Sequence, residues 1–109
     1  MSPITSHVLD TALGTPARGL ALALDALADD GTWQSVATAV TNDDGRAPGL
    51  MKPGELQART YRMTFHTGDY FEATERTGFY PRVEVIFTIT APEEQYHVPL
   101  LLSPYGYST

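Results

Sequence analysis

Across residues 83–90, Val83, Val85, Phe87 and Ile89 alternate with Glu84, Ile86, Thr88 and Thr90. A period of two belongs to a strand with one face in a core, because successive side chains leave a pleated backbone on opposite sides. The pattern returns along the chain. Tyr61, Met63 and Phe65 alternate with Arg62, Thr64 and His66, and Tyr96, Val98, Leu100 and Leu102 alternate with His97, Pro99 and Leu101. Leu20, Leu22 and Leu24 alternate with Ala21, Ala23 and Asp25. Leucine and alanine favour helices, yet Thr15-Pro16 and Asp29-Asp30-Gly31 bound that run as turns bound a strand. Residues 32–41, with Trp33, Val36 and Val40, are also β-rich, and residues 5–10 form a strand-like opening.

The punctuation between these runs is legible. Asn42-Asp43-Asp44-Gly45 is a turn of Asx residues and glycine. Ala91-Pro92-Glu93-Glu94 reads as a hairpin connection, and Ser103-Pro104 interrupts the last long run before Tyr105-Gly106-Tyr107. Residues 67–77 are the one plausible helix: Thr67 is placed to cap it, Asp69 and Glu72 lie near its positive end, and Gly78 would stop it. Six to eight short strands with one short helix predict an all-β, antiparallel sandwich in a single domain.

Composition removes several function classes. A formal net charge of −6 on 109 residues opposes nucleic-acid binding, which needs a basic footprint. With no cysteine there is no disulfide, thiolate metal site or cysteine nucleophile. Asp29-Asp30, Asp43-Asp44 and Glu93-Glu94 read as solvated loops, since no calcium-loop spacing accompanies them. No apolar run approaches the roughly 20 residues of a membrane span. The N-terminus lacks a basic start with a long apolar core, so the expected compartment is the cytoplasm.

Alternation also places the histidines. If Val8 points into the core, His7 and Leu9 point away from it; if Val98 and Leu100 point in, His97, Pro99 and Leu101 point out. Each histidine then shares an outer face with apolar side chains, which predicts a pocket or another copy of the chain against that face. Two imidazoles near neutral pKa can divide proton removal from proton donation. On the residues alone, two unrelated surface or interface histidines are the plainer account. A zinc site lacks a third ligand at a helpful spacing, because His66 lies on a different segment. Arg46, just after the turn, is either an exposed turn arginine or an anchor for a developing oxyanion. Ser103 and Ser108 sit in no nucleophile elbow, so they read as structural or pocket-lining.

Four segments, in order, carry a family likeness: Ser6-His7-Val8-Leu9-Asp10-Thr11 with Gly14-Thr15-Pro16-Ala17; Thr41-Asn42-Asp43-Asp44-Gly45-Arg46; Phe79-Tyr80-Pro81-Arg82-Val83-Glu84-Val85-Ile86-Phe87; and residues 96–109. Together they resemble the transthyretin-like family, within it the 5-hydroxyisourate hydrolase branch. The resemblance implies a transthyretin-like sandwich of seven or eight strands. It implies a homotetramer, a dimer of dimers, with sites in a channel between the dimers. Histidine, arginine and histidine matching His7, Arg46 and His97 mark the hydrolase branch, and the implied substrate is the purine-derived 5-hydroxyisourate. By the same resemblance Pro99, Leu101 and Ser108 line the channel, and no metal or organic cofactor is needed. Family hydrolases usually end in Tyr-Arg-Gly-Ser after the segment matching Tyr107-Ser108-Thr109. This sequence ends at Thr109. A small-molecule binder with reduced or no hydrolysis is therefore the second expectation.

Overall fold

A computed structural model describes residues 2–109. The strands are β1 (Ile4–Asp10), β2 (Thr15–Pro16), β3 (Ala21–Leu27), β4 (Trp33–Val40), β5 (Thr60–Phe65), β6 (Val83–Thr88), β7 (Tyr96–Ser103) and β8 (Gly106–Ser108), with one helix, α1 (Thr67–Ala73). They form two four-stranded sheets, ordered β2-β1-β7-β8 and β4-β3-β5-β6. The expected sandwich of short strands with one short helix is what the chain forms. Pairing is antiparallel except between β1 and β7, which run parallel. A parallel pair cannot be closed by a hairpin.

That pair corrects the reading of residues 91–94. They connect β6 in one sheet to β7 in the other and so are no hairpin. Thr15-Pro16, turn punctuation by its composition, pairs as β2 with Asp10 and Leu9.

Alternation makes the core. Ile4 and Val8 from β1 and Leu100 and Leu102 from β7 meet Leu22, Leu24, Tyr61, Met63 and Phe65 from the opposite sheet. Each such side chain withdrawn from water contributes about 1.5–3 kcal/mol. Leu22, Leu24 and Ala26 take the buried positions of β3 in strict alternation, so burial between β4 and β5 overrides the helix preference of leucine and alanine. In β4 the inward positions go to Ala37 and Ala39, while Val36 and Val40 are exposed. The cause is a bulge: Leu24 pairs Ala37 and Asp25 pairs Ser35, leaving Val36 without an opposite residue.

The helix differs from expectation at both ends. Its N-cap is His66, without a side-chain cap, and Thr67 is already helical, its hydroxyl donating to the Tyr80 carbonyl at 3.4 Å. It ends at Thr74 rather than near Gly78. Glu75 turns left-handed (φ 59°), and the amides of Glu75 and Arg76 donate to the carbonyls of Glu72 (3.0 Å) and Phe71 (2.8 Å), a Schellman closure. Gly78 has a packing role instead, since a Cβ there would overlap the Phe71 ring.

The closure aims Arg76 at Asp10, the last residue of β1. Asp10 is fully buried, its Oδ2 accepting from Arg76 (2.6 Å) and from the Tyr70 hydroxyl (2.8 Å), its Oδ1 from the Leu13 amide (3.0 Å). Burial alone would push the Asp10 carboxyl up. The Arg76 and Leu13 hydrogen bonds, that of Tyr70 and the guanidinium charge outweigh it, holding the group below its ordinary value. The helix is thereby tied to the end of the strand that carries His7. Among the described residues no helix is long and apolar enough to cross a membrane.

Candidate active site

The outer face of the β2-β1-β7-β8 sheet carries His7, His97, Pro99, Leu101 and Ser108, and Arg46 bridges to its strand β1. On β1, Ile4, Ser6, Val8 and Asp10 are buried, while Thr5, His7 and Leu9 are half-buried on the other face. On β7, Leu100 and Leu102 are buried, while His97, Pro99 and Leu101 are exposed. Both histidines thus lie where alternation put them.

Register brings them together. In the parallel pair, Thr5 lies opposite His97, His7 opposite Pro99, and Leu9 opposite Leu101. His7 and His97 are therefore diagonal neighbours on adjacent strands, with Cα atoms about 8 Å apart from standard sheet spacings. The Thr5 Oγ1 lies 2.8 Å from the His97 Nδ1. Leu101 is also opposite Ser108 on β8, so Ser108 shares the face.

Arg46 arrives from the other side of β1. Asn42 builds the turn that delivers it: its Oδ1 accepts from the amides of Asp44 and Arg46, both at 3.0 Å, and its carbonyl accepts from the Gly45 amide at 2.9 Å. Arg46 then forms an antiparallel bridge with His7. The Val8 amide donates to the Gly45 carbonyl (2.8 Å) and the Ala47 amide to the Ser6 carbonyl (3.3 Å). Those bonds flank the His7–Arg46 pair, which makes it the non-hydrogen-bonded kind, with Cα atoms about 4.5 Å apart and side chains close. Arg46 thus pairs as a single bridge residue.

Arg46, His7 and Pro99 lie in one row across the sheet, flanked by rows containing Thr5 with His97 and Leu9 with Leu101 and Ser108. A guanidinium and two imidazoles on neighbouring positions can bind an anionic or carbonyl oxygen and move protons beside it. His66 lies at the end of β5 in the other sheet and takes no part. Among the described residues no cluster of three histidine, aspartate or glutamate side chains could hold a metal. A concavity of about 470 Å³ lined by Ser2, Thr5, Pro48 and Met51 touches one edge of the face.

Thr5 was not singled out from the sequence. Its only signal is shared parity with His7, two positions on; its place beside His97 follows from the β1–β7 register.

A family model described as HIUase/Transthyretin family matches residues 4–109. The chain is 50% identical over 109 residues to the 5-hydroxyisourate hydrolase of Mus musculus, covering 99% of this chain and 92% of that one. It is 46% identical over 111 residues to 5-hydroxyisourate hydrolase 2 of Rhizobium meliloti, covering 97% and 92%. Among solved structures, transthyretin from Sparus aurata superposes with a TM-score of 0.94 at 33% identity, covering 99% of this chain and 94% of the other. A sea bream transthyretin solved in complex with thyroxine superposes with a TM-score of 0.92 at 35% identity, covering 97% and 91%.

Proposed function

This chain belongs to the HIUase/Transthyretin family, and we propose that it is a 5-hydroxyisourate hydrolase. It opens the ring of 5-hydroxyisourate with water to give 2-oxo-4-hydroxy-4-carboxy-5-ureidoimidazoline, a step of urate breakdown. The observation that carries the reading is the gathering of His7, Arg46 and His97 on one sheet face through the β1–β7 register and the His7–Arg46 bridge. One imidazole takes a proton from water as the water oxygen bonds to the ring carbonyl carbon. The other gives a proton to the ring nitrogen as the carbon–nitrogen bond breaks. Arg46 holds the carbonyl oxygen, where negative charge develops in the transition state. Pro99, Leu101 and Ser108 border the substrate.

A sheet face open to water would leave these groups solvated and weakly coupled. The proposed active form is a homotetramer, a dimer of dimers, in which a second dimer roofs the face. Leu101, 43% exposed, and the half-buried Leu9 support this, because apolar side chains beside a polar site are normally covered. Covering the face also excludes water, which strengthens the electrostatic contribution of Arg46.

The test is incubation with freshly generated 5-hydroxyisourate, followed by loss of its absorbance. Decay should far exceed the uncatalysed rate, and His7→Ala and His97→Ala should each abolish the excess while leaving particle size by light scattering unchanged. A parent protein no faster than buffer rejects the hydrolase reading; a variant at full rate removes that histidine from the mechanism. A monomer at micromolar concentration rejects the roofed channel.

A further inference from the structure

We infer that Thr5 is a positioning residue for His97: its hydroxyl fixes the imidazole through Nδ1, leaves Nε2 for the reacting groups, and serves both protonation states of the ring. This rests on the hydrolase reading of the same face. The Thr5 Oγ1 and His97 Nδ1 are 2.8 Å apart, a full-strength hydrogen bond between residues directly opposite each other in the β1–β7 register. Both side chains stand on the outer face, Thr5 half-buried and His97 exposed. An exposed imidazole without such a tether samples several χ2 orientations and both neutral tautomers.

The choice of a hydroxyl has chemical content. A carboxylate on Nδ1 would favour the imidazolium and hold it charged. A backbone carbonyl only accepts, so it would require a proton on Nδ1 throughout. A threonine hydroxyl is both donor and acceptor. It donates to Nδ1 when the neutral ring carries its proton on Nε2, and by rotating it accepts from Nδ1–H when the ring is protonated or takes the other tautomer. A histidine that gains and loses a proton in each cycle therefore keeps one orientation throughout. Thr5 is also β-branched and its χ1 is stiff in a strand, so the hydroxyl is held in place at little entropic cost. Thr5 also lines the concavity shared with Ser2, Pro48 and Met51.

The experiment pairs Thr5→Val, which keeps shape and loses the hydroxyl, with Thr5→Ser, which keeps the hydroxyl; Thr5→Ala repeats the loss without the second methyl. Two readouts are taken. Nitrogen-15 spectra of the His97 ring in the unliganded protein should show Nδ1 as a hydrogen-bonded ring nitrogen in the parent and in Thr5→Ser. In Thr5→Val the spectrum should move toward the free-imidazole mixture, which a purely structural role would not produce. In turnover of 5-hydroxyisourate, Thr5→Val should lower kcat about tenfold, the scale of one lost hydrogen bond to a reacting group, with KM within twofold and near-parent rates in Thr5→Ser. Unchanged His97 nitrogen signals in both Thr5→Val and Thr5→Ala overturn the inference whatever the rate. The spectra need no substrate, so failure of the hydrolase reading and failure of the Thr5–His97 coupling are separately visible.

Discussion

Gly45 sits at φ +75° in the turn that delivers Arg46, and a Cβ there would overlap the carbonyl oxygen of Val8. The same Cβ would lie 3.1 Å from the Cβ of Pro16 and 3.2 Å from the amide nitrogen of Ala17, so the obstruction is mostly backbone and cannot swing aside. Gly45→Ala therefore carries two costs. The left-handed backbone adds about 1 kcal/mol for a residue with a Cβ. Relieving the overlap moves the turn away from β1 and weakens the Val8–Gly45 and Ala47–Ser6 hydrogen bonds, now 2.8 and 3.3 Å, at about 1 kcal/mol each. The expected loss is about 3 kcal/mol, or about 1.5 M in a urea midpoint if the denaturant slope is about 2 kcal/mol/M. Unfolding can be followed by fluorescence of Trp33, the single tryptophan, at fixed protein concentration because assembly shifts the midpoint. Gly49 supplies the control: its φ is +74° and nothing lies within 4 Å of a Cβ there, so Gly49→Ala isolates the backbone cost. Arg46 follows Gly45 directly, so a displacement on the order of 1 Å should also lower kcat by about 100-fold. If Gly45→Ala unfolds with Gly49→Ala and turns over like the parent, the reasoning about this turn is wrong.

Other consequences follow from particular contacts. Asp10→Asn leaves Arg76 partly buried without its counter-charge and should cost about 3 kcal/mol, measured by the same unfolding assay. Because the folded carboxyl lies below its ordinary value of 3.8, its stabilisation is complete above that value. It is lost as pH falls through the folded pKa, so Asp10→Asn should flatten the acid limb of stability against pH. Glu75→Gly relieves a left-handed backbone at φ 59° and should raise the thermal midpoint by a few degrees, for a gain of up to about 1 kcal/mol; no gain would mean the Glu75 side chain compensates. Arg46→Lys keeps the charge but loses the planar two-point donor, so kcat should fall at least about tenfold with assembly unchanged; a full rate would assign Arg46 a simple charge role.

Where sequence and structure diverge, the cause is long-range packing. Residues 91–94 have the composition of a hairpin turn, yet they cross between sheets because β7 must reach β1. Gly78 looked like a helix stop, but Phe71 needs the space above it, and the chain turns three residues earlier at Glu75 to bring Arg76 to Asp10. Turn chemistry reads locally; the partner that selects among turns does not.

The residues by themselves determined a two-layer β architecture, the buried side of β1, β3, β5, β6 and β7, and the outward direction of His7 and His97, because side-chain parity is a property of each strand alone. They also determined the Asx-glycine turn before Arg46. Only the tertiary structure decided that β1 and β7 run side by side in parallel, that His97 falls opposite Thr5, and that Arg46 bridges to His7. Register between segments at opposite ends of the chain is set by how both sheets fill one core, and no local pattern encodes that packing.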